Sequence, residues 1–238
     1  MSELAENLAR LEDAIAAACR AANRPRAEVE LVAVSKNHPT SAIVEAVELG
    51  LRVFGENRVQ EFAAKSAELA EAGVRSRLRA HLIGHLQSNK AAKAVEIFDA
   101  VDSVDSLKLA ERLDEAAGRI GKRLPVLLEI KLSHEETKAG LAPDSAEWNQ
   151  LLEKLPSLAN LDAQGLMTIA PLDVPQHETL ACFRSLRLLR DRLAAAHPLL
   201  NLPALSMGMS GDFPLAIAEG ATRIRVGTAL FGAREYAK

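Results

Sequence analysis

The chain is 238 residues long, and its 29 Lys and Arg against 32 Asp and Glu give a formal charge of −3. That balance excludes a dedicated nucleic-acid binder, which needs a concentrated cationic face, and 48% hydrophobic with 26% charged content excludes a disordered chain. Aromatics are only 3%, no apolar run approaches the ~20 residues that span a bilayer, and the acidic start Met-Ser-Glu-Leu-Ala-Glu lacks signal-peptide character.

Leu4, Leu8, Leu11, Ile15 and Cys19 recur at helical spacing and predict a first helix ending near Asn23-Arg24-Pro25. Short apolar runs then alternate with helical stretches. Strands are predicted over 30–35, 52–55, 81–84, 98–102, 125–132, 163–169, 204–207 and 222–226. Helices are predicted between them, near 41–49, 59–72, 90–97, 107–117, 145–154, 176–196 and 213–219. Consecutive parallel strands cannot be joined by a tight hairpin, so this alternation requires crossover helices. About eight such units in this length match a single (β/α)8 TIM-type barrel with an extra N-terminal helix, one domain over residues 1–238. The competing doubly wound sheet announces itself with GxGxxG after the first strand, whereas here that strand runs into Ser35-Lys36-Asn37-His38-Pro39, without a glycine. The two cysteines, Cys19 and Cys182, belong to no CxxC pair, and Cys19 reads as a small apolar filler. A cytoplasmic protein is expected, with neither nucleic acid nor membrane as partner.

Barrel chemistry collects at the C-terminal ends of the strands. Lys36 shares side-chain parity with Val32 and Val34, so it reads either as a strand-end lysine reaching solvent or as an amine aimed into the barrel mouth. In the second case partial desolvation favours a nucleophilic free amine suited to a Schiff base. The seventh strand is followed by Ser206-Met-Gly-Met-Ser-Gly-Asp212, and the eighth ends in Arg225-Val-Gly-Thr228. Barrel enzymes frequently bind phosphate between these two loops. Gly227 allows close backbone approach, and Ser210 and Thr228 offer hydroxyls. With the lysine, they describe an aldehyde phosphate cofactor held at both ends, and pyridoxal 5′-phosphate (PLP) has that form. Arg223 and Arg225 alternate with Ile224 and Val226 and so share a face; Arg225 against a pyridine nitrogen would donate to it and oppose ring protonation. The other reading of Arg225 is a pairing with a carboxylate inside the barrel.

His81 and His85 are four apart but straddle a strand end, which argues against a metal. Asp102, Ser103 and Asp105 read as a cap for the helix beginning at Leu107, and Lys131 and Lys138 as solvated groups flanking the fifth-strand loop. No GxSxG elbow or P-loop is present.

The motifs Val34-Ser-Lys36, Phe54-Gly-Glu-Asn57 with Val59-Gln-Glu61, and Gly84-His-Leu-Gln-Ser-Asn-Lys90 closely resemble those of the YggS/PROSC family of PLP homeostasis proteins. So do Gly165-Leu-Met-Thr-Ile169, Ser206-Met-Gly-Met-Ser210 and the run Arg225 to Arg234, and the resemblance extends essentially end to end. It implies a barrel similar to the N-terminal domain of alanine racemase. It also implies a PLP aldimine on Lys36, Arg225 facing the pyridine nitrogen, and Ser210, Gly227 and Thr228 at the phosphate. Asn57, Ser206 and Met209 would lie around the cofactor. Arg58, Asn37 and Lys131 stand where the family commonly has tyrosine, threonine and asparagine.

Members of that family are thought to maintain the vitamin B6 pool without established turnover. Alanine racemase sets a tyrosine from a separate β-domain across the cofactor from its lysine. The only tyrosine here is Tyr236, near the chain's end, where no room is left for such a domain. The expectation is a PLP carrier or regulator with no catalytic residues, monomeric, with PLP-dependent apoenzymes as further partners. A small PLP-dependent amino-acid racemase is the alternative.

Overall fold

The computed structural model describes residues 2–132, 139–197 and 200–232. Eight parallel strands close into a barrel in chain order, β8 pairing back onto β1. They are β1 (Glu30–Val34), β2 (Val53–Glu56), β3 (Arg79–Leu82), β4 (Ala100–Val104), β5 (Leu124–Glu129), β6 (Leu161–Met167), β7 (Ala204–Ser206) and β8 (Arg223–Val226). Eight of the nine helices among the described residues follow the strands: α2 (Thr40–Glu48), α3 (Val59–Glu71), α4 (Ala91–Ile97), α5 (Leu107–Arg119), α6 (Ala146–Lys154), α7 (Gln176–Ala196), α8 (Phe213–Ala218) and α9 (Thr228–Phe231). The ninth, α1 (Glu3–Ala21), precedes the barrel. No helix among the described residues is long and apolar enough to cross a membrane.

Helix α1 starts where Ser2 Oγ accepts the Ala5 N–H at 3.3 Å, with Glu3 and Glu6 placed to oppose the helix dipole. It buries Leu4, Leu11, Ile15 and Cys19, each apolar side chain contributing about 2 kcal/mol from area removed from water. It packs against α8 and α9, and Asn7 Nδ2 donates to the Leu230 carbonyl at 3.1 Å. Because α9 has only four residues, α1 supplies the cover that a full-length eighth helix would give.

Strand alternation divides the side chains into two cores. Leu31, Ala33, Phe54, Leu82, Val101, Leu128, Leu166, Leu205, Ile224 and Val226 face outward and join the main apolar core with the helices. The lumen holds a small separate cluster of Leu127, Met167 and Ala204. Beside these and Val32 it carries a polar network. Buried His81 Nδ1 meets Asp102 Oδ2 at 3.2 Å, and Arg223 bridges to Glu30 Oε2 at 2.8 Å and to Gln164 Oε1 at 3.2 Å. Arg223 also lies 4.0 Å from Asp102 Oδ1. Burial pushes the Asp102 carboxyl upward, but His81, Arg223 and Arg225 together outweigh it and hold the group below the ordinary aspartate range.

Strand positions agree with expectation to within one residue at β1, β2, β7 and β8; β6 begins and ends two residues earlier than expected, and β5 stops at Glu129, three residues short. The structure moves β3 two residues back and β4 two residues forward, putting His81 and Asp102 inside strands. The cap before Leu107 is therefore not Asp102, Ser103 or Asp105. Ser106 holds that place, its Oγ accepting from Leu109 N at 3.3 Å, while Ser103 donates to the Gly84 carbonyl at 2.7 Å.

Candidate functional site

A cavity of about 530 Å3 opens at the C-terminal rim, within the range that takes a small cofactor. Lys36, Asn57, Met209, Ser210, Arg225, Gly227 and Thr228 all line it. Lys36 stands two residues beyond β1, half-buried, with Val34 on the same wall, as strand parity requires.

Arg225, on β8, is the fixed point of the floor. Its Nη1 donates to Ser206 Oγ at 2.7 Å and its Nη2 to the Thr168 carbonyl at 2.8 Å. Burial lowers the pKa of this guanidinium, and the carboxylates of Asp102, Glu129 and Asp212 oppose that shift. Ser206 is fully buried and reaches the site through Arg225.

The loops after β7 and β8 form the opposite end. Asp212 Oδ1 accepts the Met209 N–H at 2.6 Å, and Met209 O accepts from Phe213 N at 2.9 Å, closing the turn. Gly208 adopts φ +95°, and a Cβ there would stand 2.6 Å from Ala216 Cβ, so no other residue fits. Gly227 lies against β1: a Cβ would meet the Val34 carbonyl at 3.2 Å. It caps α9, whose first N–H groups have no carbonyl within the helix, and Ala229 N approaches Ser210 Oγ at 3.5 Å. The Ser210, Gly227 and Thr228 end can thus present hydroxyl and backbone donors to an anion.

The wall between β3 and β5 carries groups to which sequence reasoning assigns no role. Glu129 ends β5 inside the cavity wall with parity to Leu127, and the pKa of its carboxyl is raised to about 7 by burial, then by the charge of Asp105, against the pull of Arg225 and His85. The available signal is an acid set among the apolar residues of Val126-Leu-Leu-Glu-Ile130. His85 Nδ1 meets Asp105 Oδ2 at 2.7 Å, so its partner is a carboxylate. Lys131 is half-buried and lines the cavity, where a solvated lysine was expected; Lys138 and Tyr236 lie outside the described residues. Lys65 was also passed over, although its place on the apolar stripe between Phe62 and Leu69 was a sign of burial.

The profile of the family described as "Alanine racemase, N-terminal domain" matches residues 7–235. A Pseudomonas aeruginosa protein named "Pyridoxal phosphate homeostasis protein" is 44% identical, over 99% of this chain and 98% of its own length. One of the same name from Escherichia coli K12 is 40% identical over the full length of both. Among solved structures, PipY of Synechococcus elongatus with PLP bound superposes with a TM-score of 0.84 at 49% identity, covering 97% of this chain and 100% of that one. An alanine racemase from Streptomyces coelicolor shares the fold at a TM-score of 0.71 and 22% identity, covering 95% of this chain and 58% of its own.

Proposed function

We propose, for a chain that belongs to the pyridoxal phosphate homeostasis proteins and to the alanine racemase N-terminal domain family, that its rim cavity holds PLP in intracellular vitamin B6 homeostasis. The observation that carries the reading is the convergence on one cavity of an amine, a fixed guanidinium and an anion-binding end, at Lys36, Arg225 and the Ser210–Gly227–Thr228 loops. These residues fit the cofactor on their chemistry. The Gly227 backbone lies close against β1, Arg225 has its geometry set by two acceptors, and the floor is buried and polar.

When bound, PLP supplies an aldehyde that condenses with amines and a ring that draws electrons from the product. Lys36 Nζ would be the covalent attachment. Arg225 would donate a hydrogen bond to the pyridine nitrogen and keep that nitrogen unprotonated, because a guanidinium cannot yield its proton. Ser206 and the Thr168 carbonyl hold Arg225 in that orientation. Ser210, Thr228 and the backbone at Gly227 bind the phosphate, and Asn57 and Met209 flank the ring. An unprotonated ring is a weak electron sink, which suits retention and delivery better than turnover. The protein acts as a cytoplasmic monomer that carries PLP or regulates its supply to PLP-dependent apoenzymes.

Reduction of the PLP-loaded protein with borohydride, followed by peptide mass spectrometry, tests the attachment. The adduct is expected on Lys36, and Lys36→Ala is expected to lose both adduct and visible absorbance; an adduct elsewhere overturns the assignment. Incubation with amino acids in heavy water tests the carrier role. Rapid Lys36-dependent exchange at Cα across common amino acids would establish a racemase-type enzyme instead.

A further inference from the structure

A buried ionic cluster lies behind Lys36, outside the cavity wall. Glu56, the last residue of β2, is fully buried, and its Oε1 accepts from Ser35 Oγ at 2.7 Å and from Lys65 Nζ at 2.9 Å. Lys65 Nζ also donates to the Ser35 carbonyl at 2.9 Å and to Glu61 Oε1 at 2.8 Å. That same Glu61 oxygen accepts the Asn37 N–H at 2.6 Å. The residues on both sides of Lys36 are therefore tied to one ammonium and its two carboxylates.

The tethered turn is not a relaxed one. Asn37 sits at φ +62°, a left-handed conformation that persists in a non-glycine residue when the surroundings impose it. The Ser35 carbonyl closes the turn by accepting from His38 N at 3.1 Å. Burying an ammonium and a carboxyl is an inefficient way to stabilise a fold, since apolar packing of the same volume does as well or better. What the cluster secures is a backbone path.

We propose that Lys65 and Glu61 are positioning residues for Lys36, holding the turn from Ser35 to Asn37 so that the Lys36 amine meets the cofactor's aldehyde. The inference rests on the reading of Lys36 as the attachment point and deepens it by assigning the geometry of attachment to a cluster that does not touch the cofactor. Attachment forms a C=N bond between Nζ and the aldehyde carbon. Two protons of the ammonium leave with the aldehyde oxygen as water, and the third stays on nitrogen. Phosphate and ring contacts need no such alignment, so the two parts of binding are separable.

The test compares PLP with 4′-deoxypyridoxine 5′-phosphate, which has the ring and phosphate but no aldehyde. Glu61 is partly exposed, so Glu61→Ala leaves the barrel folded. It is expected to weaken PLP about tenfold, as loss of a charge-assisted hydrogen bond would, and to slow trapping at Lys36. Affinity for the deoxy analogue should change less than about twofold on the same scale. Glu61→Gln keeps an acceptor oxygen for Asn37 and should recover most of the PLP affinity, and Lys65→Met should reproduce the split between the two ligands. Equal losses for both ligands, or no loss for either, overturn the positioning role. Wild-type protein that yields no adduct at Lys36 overturns the attachment itself, a separate result.

Discussion

The two sides of the barrel mouth are built differently. On the side of β7, β8 and β1, polar groups are immobilised by backbone. Arg225 is held to the Thr168 carbonyl, Asp212 to the Met209 N–H, and Glu61 to the Asn37 N–H. On the side of β3 to β5, a carboxyl sits where burial and neighbouring charge set its state, with an imidazole close by. Glu129 titrates near 7, and His85 pairs with Asp105 with 60% of its own side chain exposed. The first side is preorganised to receive a fixed anion without rearrangement, which is how bound dipoles gain most from a dry site. The second side is able to change charge across neutral pH.

The sharpest way to break this comparison is at Arg225. Arg225→Met keeps bulk but strips two hydrogen-bond acceptors of their donor and leaves Asp102, Glu129 and Asp212 without their shared cation. A loss of about 3–5 kcal/mol is expected in chemical denaturation, together with loss of PLP retention. A loss below about 1 kcal/mol would mean that the fixed charge is not structural. Next in size is the loop that carries Met209. Gly208→Ala forces a Cβ to within 2.6 Å of Ala216 and 3.0 Å of the Phe213 backbone at positive φ, for an expected cost of about 3 kcal/mol. Gly211→Ala, with nothing within 4 Å, should change stability by less than about 0.5 kcal/mol. If the two alanines behave alike, the loop is not preorganised.

What could be read in the chain divides along the same line. Strand–helix alternation marks the barrel, and parity places Lys36, Arg223 and Arg225 inward, because those strands carry apolar residues on their outer positions. Strand bounds slip by two residues at β3, β4 and β6, and at the first two the lumen side chains are His81 and Asp102. A polar interior removes the apolar signal, and the neighbouring Ile83 and Phe98 draw the predicted strands off by two residues. Helix α9 is too short for periodicity to register. The ion cluster of Glu56, Glu61 and Lys65 joins β2, α3 and the end of β1, and no local spacing shows that both carboxylates meet on the one Lys65 ammonium. Glu129 falls inside the expected strand 125–132, so neither its place at the strand end nor its titration, which depends on burial and on Asp105, shows before the barrel closes.

The titratable side gives the third prediction, of intermediate size. Glu129 ordinarily ionises near 4.5 but does so at about 7 in the fold, so between those values the folded protein keeps a proton that the unfolded chain has released. Stability contributed at this site therefore falls as pH rises through that window and levels off above it. Linkage caps the effect at about 3 kcal/mol, and a buried amide retains part of the cost, so Glu129→Gln should stabilise the protein by about 2 kcal/mol at pH 8. At pH 5 the same substitution should be close to neutral. A gain that is constant with pH, or that grows toward acid, would mean that Glu129 is ionised in the fold and belongs with the fixed charges of the opposite side.

The smallest expected effect is at His85, and it sharpens the comparison because two readouts should separate. As one partner of a solvent-exposed pair at 2.7 Å, His85 contributes little, and His85→Ala should leave stability within about 0.5 kcal/mol. Yet His85 pulls the Glu129 pKa down while Asp105 pushes it up. Removing the imidazole deletes the first influence and leaves Arg225 alone to oppose the second. The midpoint for Glu129, followed by carboxyl carbon NMR, should therefore move upward in His85→Ala while the unfolding curve at neutral pH stays in place. A midpoint that stays or falls would uncouple His85 and Asp105 from Glu129 and reduce the β3–β5 wall to one buried acid. A rise would show that His85 and Asp105 act together on the charge of Glu129, which faces the fixed Arg225 across the cavity.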